Sequence, residues 1–292
     1  MHHMRVLRPI DGVFAFFDGR VEGYRFDERP NWVDEGALAL GVASYAVVFG
    51  AEAVVYDTHV SIEHARHIRR VLESCGVRRF TVVLSHWHLD HVAGTAAFDD
   101  CEVIASERTA QLLARCRPAI ERGEHEGPPP IEPLVLPTAV FADRLRLSVG
   151  GVRLDLIHTD IHSDDATLVW LPEQKLLFCG DTMEDPVTYV DEPQNFDAHL
   201  ANLGKLWELA PDRILPNHGE PKVISDGGYS SDLIRATERY IRMLRRCRIE
   251  PSLRELSLRE FIAGSLDAGS LHYFPPYEAV HRHNVDAVLA AR

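Results

Sequence analysis

Residues 85–91 read Ser-His-Trp-His-Leu-Asp-His, which puts three histidines and an aspartate within six residues. An apolar, β-branched run at 80–84 leads straight into them. Side chains at i and i+2 of an extended segment point the same way, so His86 and His88 can share one ion. Asp90 and His91 follow where the chain turns and can face a second ion. Core packing does not require imidazole at this density.

Three later segments offer further donors. Residues 157–165, Ile-His-Thr-Asp-Ile-His-Ser-Asp-Asp, follow a strand and present either His158 or His162. Residues 176–182, Leu-Leu-Phe-Cys-Gly-Asp-Thr, end a buried strand at Asp181. Residues 215–220, Leu-Pro-Asn-His-Gly-Glu, present His218 at a strand end, where Gly219 permits a tight turn.

The His-x-His-x-Asp-His stretch resembles the signature of the metallo-β-lactamase superfamily. In that family the second histidine motif precedes a strand and a Pro-Glu turn. Counting back from Pro172 through 167–171 then selects His162 and leaves His158 at a strand end. Ile161 and Ser163 replace the usual Gly and Thr, and Asn217 replaces a Gly before His218. The resemblance implies that His86, His88 and His162 hold one metal ion, that Asp90, His91 and His218 hold another, and that Asp181 bridges them. Asp57, at the end of a strand, corresponds to an aspartate that fixes a ligand histidine's tautomer. A donor set of nitrogen and oxygen without cysteine favours zinc, with iron or manganese as alternatives.

The resemblance also implies a reaction. A metal-bridging hydroxide attacks a small carbonyl substrate, with Asp90 and Asp181 as the catalytic carboxylates. True β-lactamases of this kind usually lack an aspartate where Asp181 stands, which argues against antibiotic hydrolysis. Lactone-opening relatives carry a Tyr where Glu184 stands, and Tyr189 lies further on. An ester, lactone or thioester is therefore expected, in a pocket shaped by Tyr24, Phe26, Trp32, Glu184 and Tyr189. The rival readings are a small-molecule phosphodiesterase, an iron-dependent oxygenase of the persulfide dioxygenase type, and a non-catalytic binding protein.

The elements that must position these residues alternate. Strands are expected at 13–17, 44–49, 53–56, 80–84 and 103–105, with helices at 61–75 and 106–116. A Gly- and Pro-rich connector at 117–133 divides the chain into two strand-rich halves. The second half carries strands at 139–141, 145–148, 152–157, 167–171, 176–178 and 213–215, and helices at 197–209 and 229–247. This pattern fits an α/β, four-layer αββα sandwich of two mixed sheets with helices on the outer faces. One domain is expected over 1–247, with a helical extension over 248–292 that packs on it and either caps the site or builds a homodimer face. The polar loop 19–41 reads as a lid anchored by its aromatics. His59, His64, His67, His281 and His283 read as partly or fully solvated, and the 242–246 arginines as a solvated helix face. His2 and His3, in a short polar start, are assigned no function.

Composition closes off other classes. The 292 residues carry a net charge of −13, which opposes a phosphate-tracking surface for nucleic acid. No apolar run reaches a membrane span, and no secretory signal is seen. Five cysteines at irregular spacings read as reduced, mostly buried thiols of a cytoplasmic protein.

Overall fold

The structure is a computed structural model that describes residues 3–291. Met1, His2 and Arg292 lie outside the described residues, and with them the reading of His2. A seven-stranded sheet runs in the order β1 (Arg5–Leu7), β2 (Val13–Asp18), β3 (Val42–Phe49), β4 (Glu52–Tyr56), β5 (Arg79–Val83), β6 (Glu102–Ser106) and β7 (Ala139–Phe141). Its first four strands pair antiparallel and the rest are parallel. A five-stranded sheet holds β8 (Arg144–Val149), β9 (Val152–His158), β10 (Thr167–Leu171), β11 (Leu176–Gly180) and β12 (Arg213–Pro216), with only β11 and β12 parallel.

Alternation along the strands builds the layers. On β2, Val13, Ala15 and Phe17 join the core between the sheets, while Phe14 and Phe16 face the opposite way. That outer face is covered by helices α1 (Ile62–Ser74) and α3 (Glu107–Glu121), with the short α2 (Leu89–Val92) between them in the chain. Strands β10 and β11 are buried along their whole length, because helices cover their far side. Those helices are α4 (Phe196–Glu208), α6 (Asp232–Arg246) and the tail helix α10 (Tyr277–Ala290). Shorter helices α5 (Pro221–Ser225), α7 (Pro251–Arg254), α8 (Leu258–Phe261) and α9 (Ala263–Asp267) link them.

The two sheets are tied together at one end. The Tyr56 hydroxyl donates to the Thr167 carbonyl and the Tyr45 hydroxyl to the Pro216 carbonyl, both at 2.5 Å. Backbone bonds from Thr167 to Ser85 (2.6 Å) and from Ala43 to Asn217 (2.7 Å) close the same edge. Loops leaving β4, β5, β9, β11 and β12 converge there.

Several expectations change. The helix expected to stop at 116 runs through Pro118 to Glu121. The sheets divide between Phe141 and Arg144, so 139–141 belongs to the first half and 117–133 is not the boundary. His64 is buried, not solvated: it stands four residues before Ile68 on the apolar stripe of α1, bonded to Asp18 (3.1 Å) and Ser61 (2.7 Å). His59 is buried and stacked on it. His281 is buried against Tyr240 and Phe261. Of the five cysteines only Cys179 and Cys247 are buried, and all are free. Among the described residues, no helix is long and apolar enough to cross a membrane.

Candidate metal centre

The first ligand loop follows β5 directly. Its two histidine rings lie 4.5 Å apart, His86 buried and His88 at the start of α2. Helix α2 then carries Asp90 and His91, and the His91 ring lies 4.3 Å from that of His86. Gly94 ends this turn where a Cβ would meet the Thr58 carbonyl at 2.0 Å, so only glycine lets the turn pack so closely. His162 sits at φ +70° between Ile161 and Ser163, a left-handed conformation that a non-glycine residue adopts at a cost of about 1–3 kcal/mol. Gly180, at φ +53°, places Asp181 just beyond β11.

These residues meet as sequence order suggests. The ligand atoms of His86, His88 and His162 lie within 4.8 Å of one another, as do those of Asp90, His91 and His218. Asp181 Oδ2 lies between the two groups, 3.7 Å from His86 Nε2, 3.1 Å from His91 Nε2 and 3.3 Å from His218 Nε2. His158 is elsewhere, bonded through Nε2 to the Asp164 carbonyl.

The far nitrogens fix the rings. His162 Nδ1 donates to the Tyr189 carbonyl (3.0 Å) and His218 Nδ1 to the Gly41 carbonyl (2.7 Å). A carbonyl only accepts, so Nδ1 carries a proton in each ring, and Nε2, aimed inward, is the nitrogen left to bind a cation once any second proton is shed. His91 Nδ1 pairs with buried Asp57 (2.9 Å), whose carboxylate also accepts from the Ser85 backbone and from Asn217. His86 Nδ1 pairs with Ser85 Oγ at 2.8 Å. His86 Nε2 and Asp181 Oδ1 are buried with no hydrogen-bond partner. Orphaned donors of this kind are costly unless something binds them, and the set fits divalent cations. A separate group, Asp160, Glu192 and His199, also brings its side-chain atoms together, outside this centre.

Charge in the centre is divided. Burial, reinforced by neighbouring His91 and His88, holds the His86 imidazole well below its usual range, and burial beside His162 takes His88 down to about 3. Burial alone would lower His91 and His218, but the Asp181 carboxylate, aided by Asp90, outweighs it and holds both well above the usual range. Burial would raise Asp90 and Asp181, yet those same imidazoles hold both carboxyls low. In the metal-free centre the charged imidazolium form is therefore favoured at His91 and His218, and the neutral imidazole at His86 and His88.

Metal ligands must shed protons, so loading releases protons from His91 and His218. Affinity for zinc is expected to climb with pH across the neutral range. Because the folded pKa values of His91 and His218 are raised, their contribution to metal-free stability is complete below the unfolded histidine pKa and is lost as pH rises through the folded values. Zinc titration calorimetry in two buffers of different ionisation enthalpy reads the released protons directly; equal heats in both would contradict this charge division.

The centre opens into a cavity of about 590 Å³. Trp32, Glu184 and Tyr189 line it. Tyr24 and Phe26 do not: Tyr24 lines a neighbouring hollow with Arg20 and Arg25, and Phe26 lies by Ser61 and Glu132. Their loop folds back at Asp34, which accepts from the backbone of Phe26 and Asp27, and this holds that stretch away from the metal ligands. Sequence reasoning missed Glu126, Asp191 and His283 in the wall. His283 is exposed, as expected, and stacks on Tyr189 with ring centroids 4.3 Å apart. Glu184 is buried, accepting from the Tyr277 hydroxyl and the Tyr189 backbone, and burial beside Asp181 pushes its carboxyl up.

With that geometry in hand, the sequence profile described as the metallo-beta-lactamase superfamily matches residues 38–218, from the end of the 19–41 loop to His218. The chain belongs to the metallo-beta-lactamase superfamily. It is 28% identical over 181 residues to a beta-lactamase-like protein 2 homolog of Caenorhabditis elegans, covering 61% of this chain and 56% of that one. It is 25% identical over 182 residues to an atrochrysone carboxyl ACP thioesterase of Aspergillus fumigatus, covering 61% and 51%. The chain thus spans little more than half of these relatives' lengths. A metallo-beta-lactamase from Pontibacter korlensis superposes with a TM-score of 0.57 at 19% identity, over 80% of this chain and 99% of that one. At that identity the likeness is one of fold, and this superfamily's αββα sandwich is the fold of this chain.

Proposed function

We propose that the protein is a dinuclear metal-dependent hydrolase of a small ester, lactone or thioester. The observation that carries this reading is Asp181 Oδ2 standing between two three-ligand groups, with His86 Nε2 and Asp181 Oδ1 buried and unpartnered. His86, His88 and His162 would hold one ion, Asp90, His91 and His218 the other, and Asp181 both. When bound, such ions, most simply zinc, acidify a water and polarise a carbonyl.

The chain's own groups do the rest. The histidine rings are held in one tautomer by Tyr189, Gly41 and Asp57, so the donor set is preorganised. Asp90 lines the cavity and takes the proton shed by the attacking water. It passes that proton to the departing oxygen or sulfur as the carbon–heteroatom bond breaks. One water is consumed, and an acid and an alcohol or thiol leave. The Aspergillus fumigatus relative's being a thioesterase agrees with this class. The free thiols agree with a reducing, cytoplasmic setting.

Metal analysis with a substrate panel tests the reading. Two zinc per chain and turnover of p-nitrophenyl esters, lactones or thioesters are expected. One iron per chain with oxygen consumption, or turnover of bis-p-nitrophenyl phosphate alone, would replace it.

A further inference from the structure

The cavity over the metal centre has two unlike ends. Helix α10 crosses it, presenting Pro276, Ala279, Val280 and His283 along one face at helical spacing, a rise of about 10 Å. At the Pro276 end the opposite wall is Ala39 and Leu40. Arg20 holds those walls together, donating to the Leu40 carbonyl at 2.6 Å and lying 4.1 Å over the Phe274 ring. Gly41, next in the chain, anchors His218. This end is mainly apolar, with the exposed Glu35 four residues before Ala39 as the acidic group on that wall, and its alanines leave a trough that larger side chains would fill.

The other end is bounded by His283 on Tyr189 and by Asp191, 3.5 Å from His88 Nε2. Glu126 lines the cavity as well, beside His125, which packs on Trp87. Among the described residues that line the cavity there is no lysine or arginine. The metal ions would supply positive charge at the carbonyl, but a leaving group with several negative charges reaches past them to Glu126 and Asp191.

Resting on the hydrolase reading, we propose that the substrate is an aliphatic acyl ester or thioester whose leaving group is uncharged or cationic. The acyl chain lies between Ala39–Leu40 and the Pro276–Val280 turn of α10. The leaving group lies toward His283, Glu126 and Asp191. Anionic carriers such as coenzyme A fit this end poorly, because Glu126 and Asp191 repel them inside the cavity and the cations next to this end, Arg108 and Arg115, stand in the adjoining hollow beyond Asp191.

The test compares one acyl group on three leaving groups, using the zinc-loaded full chain. Butyryl thioesters of thiocholine and N-acetylcysteamine are expected to exceed butyryl-coenzyme A at least tenfold in kcat/KM, and Glu126→Lys narrows that gap. Ala279→Phe is expected to cut kcat/KM for p-nitrophenyl octanoate at least tenfold more than for p-nitrophenyl acetate. Octanamide is expected to bind the metal-free protein by calorimetry, and Ala279→Phe to abolish that binding, which reads the trough without turnover. A preference for coenzyme A, or an Ala279→Phe effect independent of chain length, overturns the assignment. Absence of turnover with every ester and thioester, while octanamide still binds, instead removes the hydrolase reading.

Discussion

Asp181→Ala is expected to lower kcat/KM by at least 1000-fold, about 4 kcal/mol of transition-state stabilisation, and to reduce zinc from two per chain to one or none. Its Oδ2 lies within 3.7 Å of ring nitrogens from both three-residue groups. Alanine leaves His86 Nε2 without its anion, and leaves Asp90 as the remaining carboxylate beside His91 Nε2 (3.4 Å) and His218 Nε2 (3.3 Å). Without Asp181, His91 and His218 lose the main cause of their raised pKa, and two cations would repel across an uncompensated gap. Asp181→Asn separates charge from shape: it keeps the volume and one acceptor oxygen, and is expected to retain one zinc with activity still reduced at least 100-fold. Metal analysis and ester turnover check both variants. An Asp181→Ala protein with two zinc and undiminished turnover would remove the bridging role. Loss of one zinc with full turnover would make the centre functionally mononuclear.

The ligands were legible because their signals are local. An imidazole every second residue after a β-branched strand, and a carboxylate or imidazole close after each later strand, mark candidate ligand loops, although at 157–165 spacing leaves both His158 and His162 and only the family resemblance selects His162. The layers were legible because β2 alternates between two cores and α1 repeats at helical spacing. His64 shows where such reading fails: it occupies an apolar-stripe position, but its polar type suggested solvent until Asp18, far off in sequence, supplied a partner. The cavity wall fails for a related reason. Tyr189 with His283, and Glu184 with Tyr277, are pairs about 90 residues apart, and neither partner carries a periodic mark that points to the other. Tyr24 and Phe26 misled in the opposite sense, since aromatic type in a lid loop says nothing about which side the loop's own turn at Asp34 will present.

The tail follows from the same long-range contacts, and its removal is the second large effect. A chain ending at Cys247 is expected not to fold to a stable monomer. Leu258, Phe261, Ile262, Leu271, Tyr277, Val280, Val285 and Val288 are buried in the core that includes the five-stranded sheet. At roughly 1.5–3 kcal/mol for each buried apolar side chain, their loss rivals the ~5–15 kcal/mol that holds a whole domain folded. Asn284→Ala keeps the core and isolates the tail's influence on the metal centre. Asn284 accepts from the Val190 backbone and donates to the Thr188 carbonyl, both at 2.9 Å, so it brackets Tyr189, whose own carbonyl orients His162. Two buried backbone groups lose partners in the alanine variant, a destabilisation of about 2–4 kcal/mol. Zinc affinity is expected to fall about 10- to 100-fold, as it does when a ligand's orienting partner is lost. Circular dichroism and thermal unfolding read the first variant, and zinc titration of folded Asn284→Ala at low temperature reads the second. A shortened chain that unfolds like the full protein would show the tail to be an appendage. An Asn284→Ala protein that is destabilised but binds zinc normally would show that Tyr189 holds His162 without help from α10.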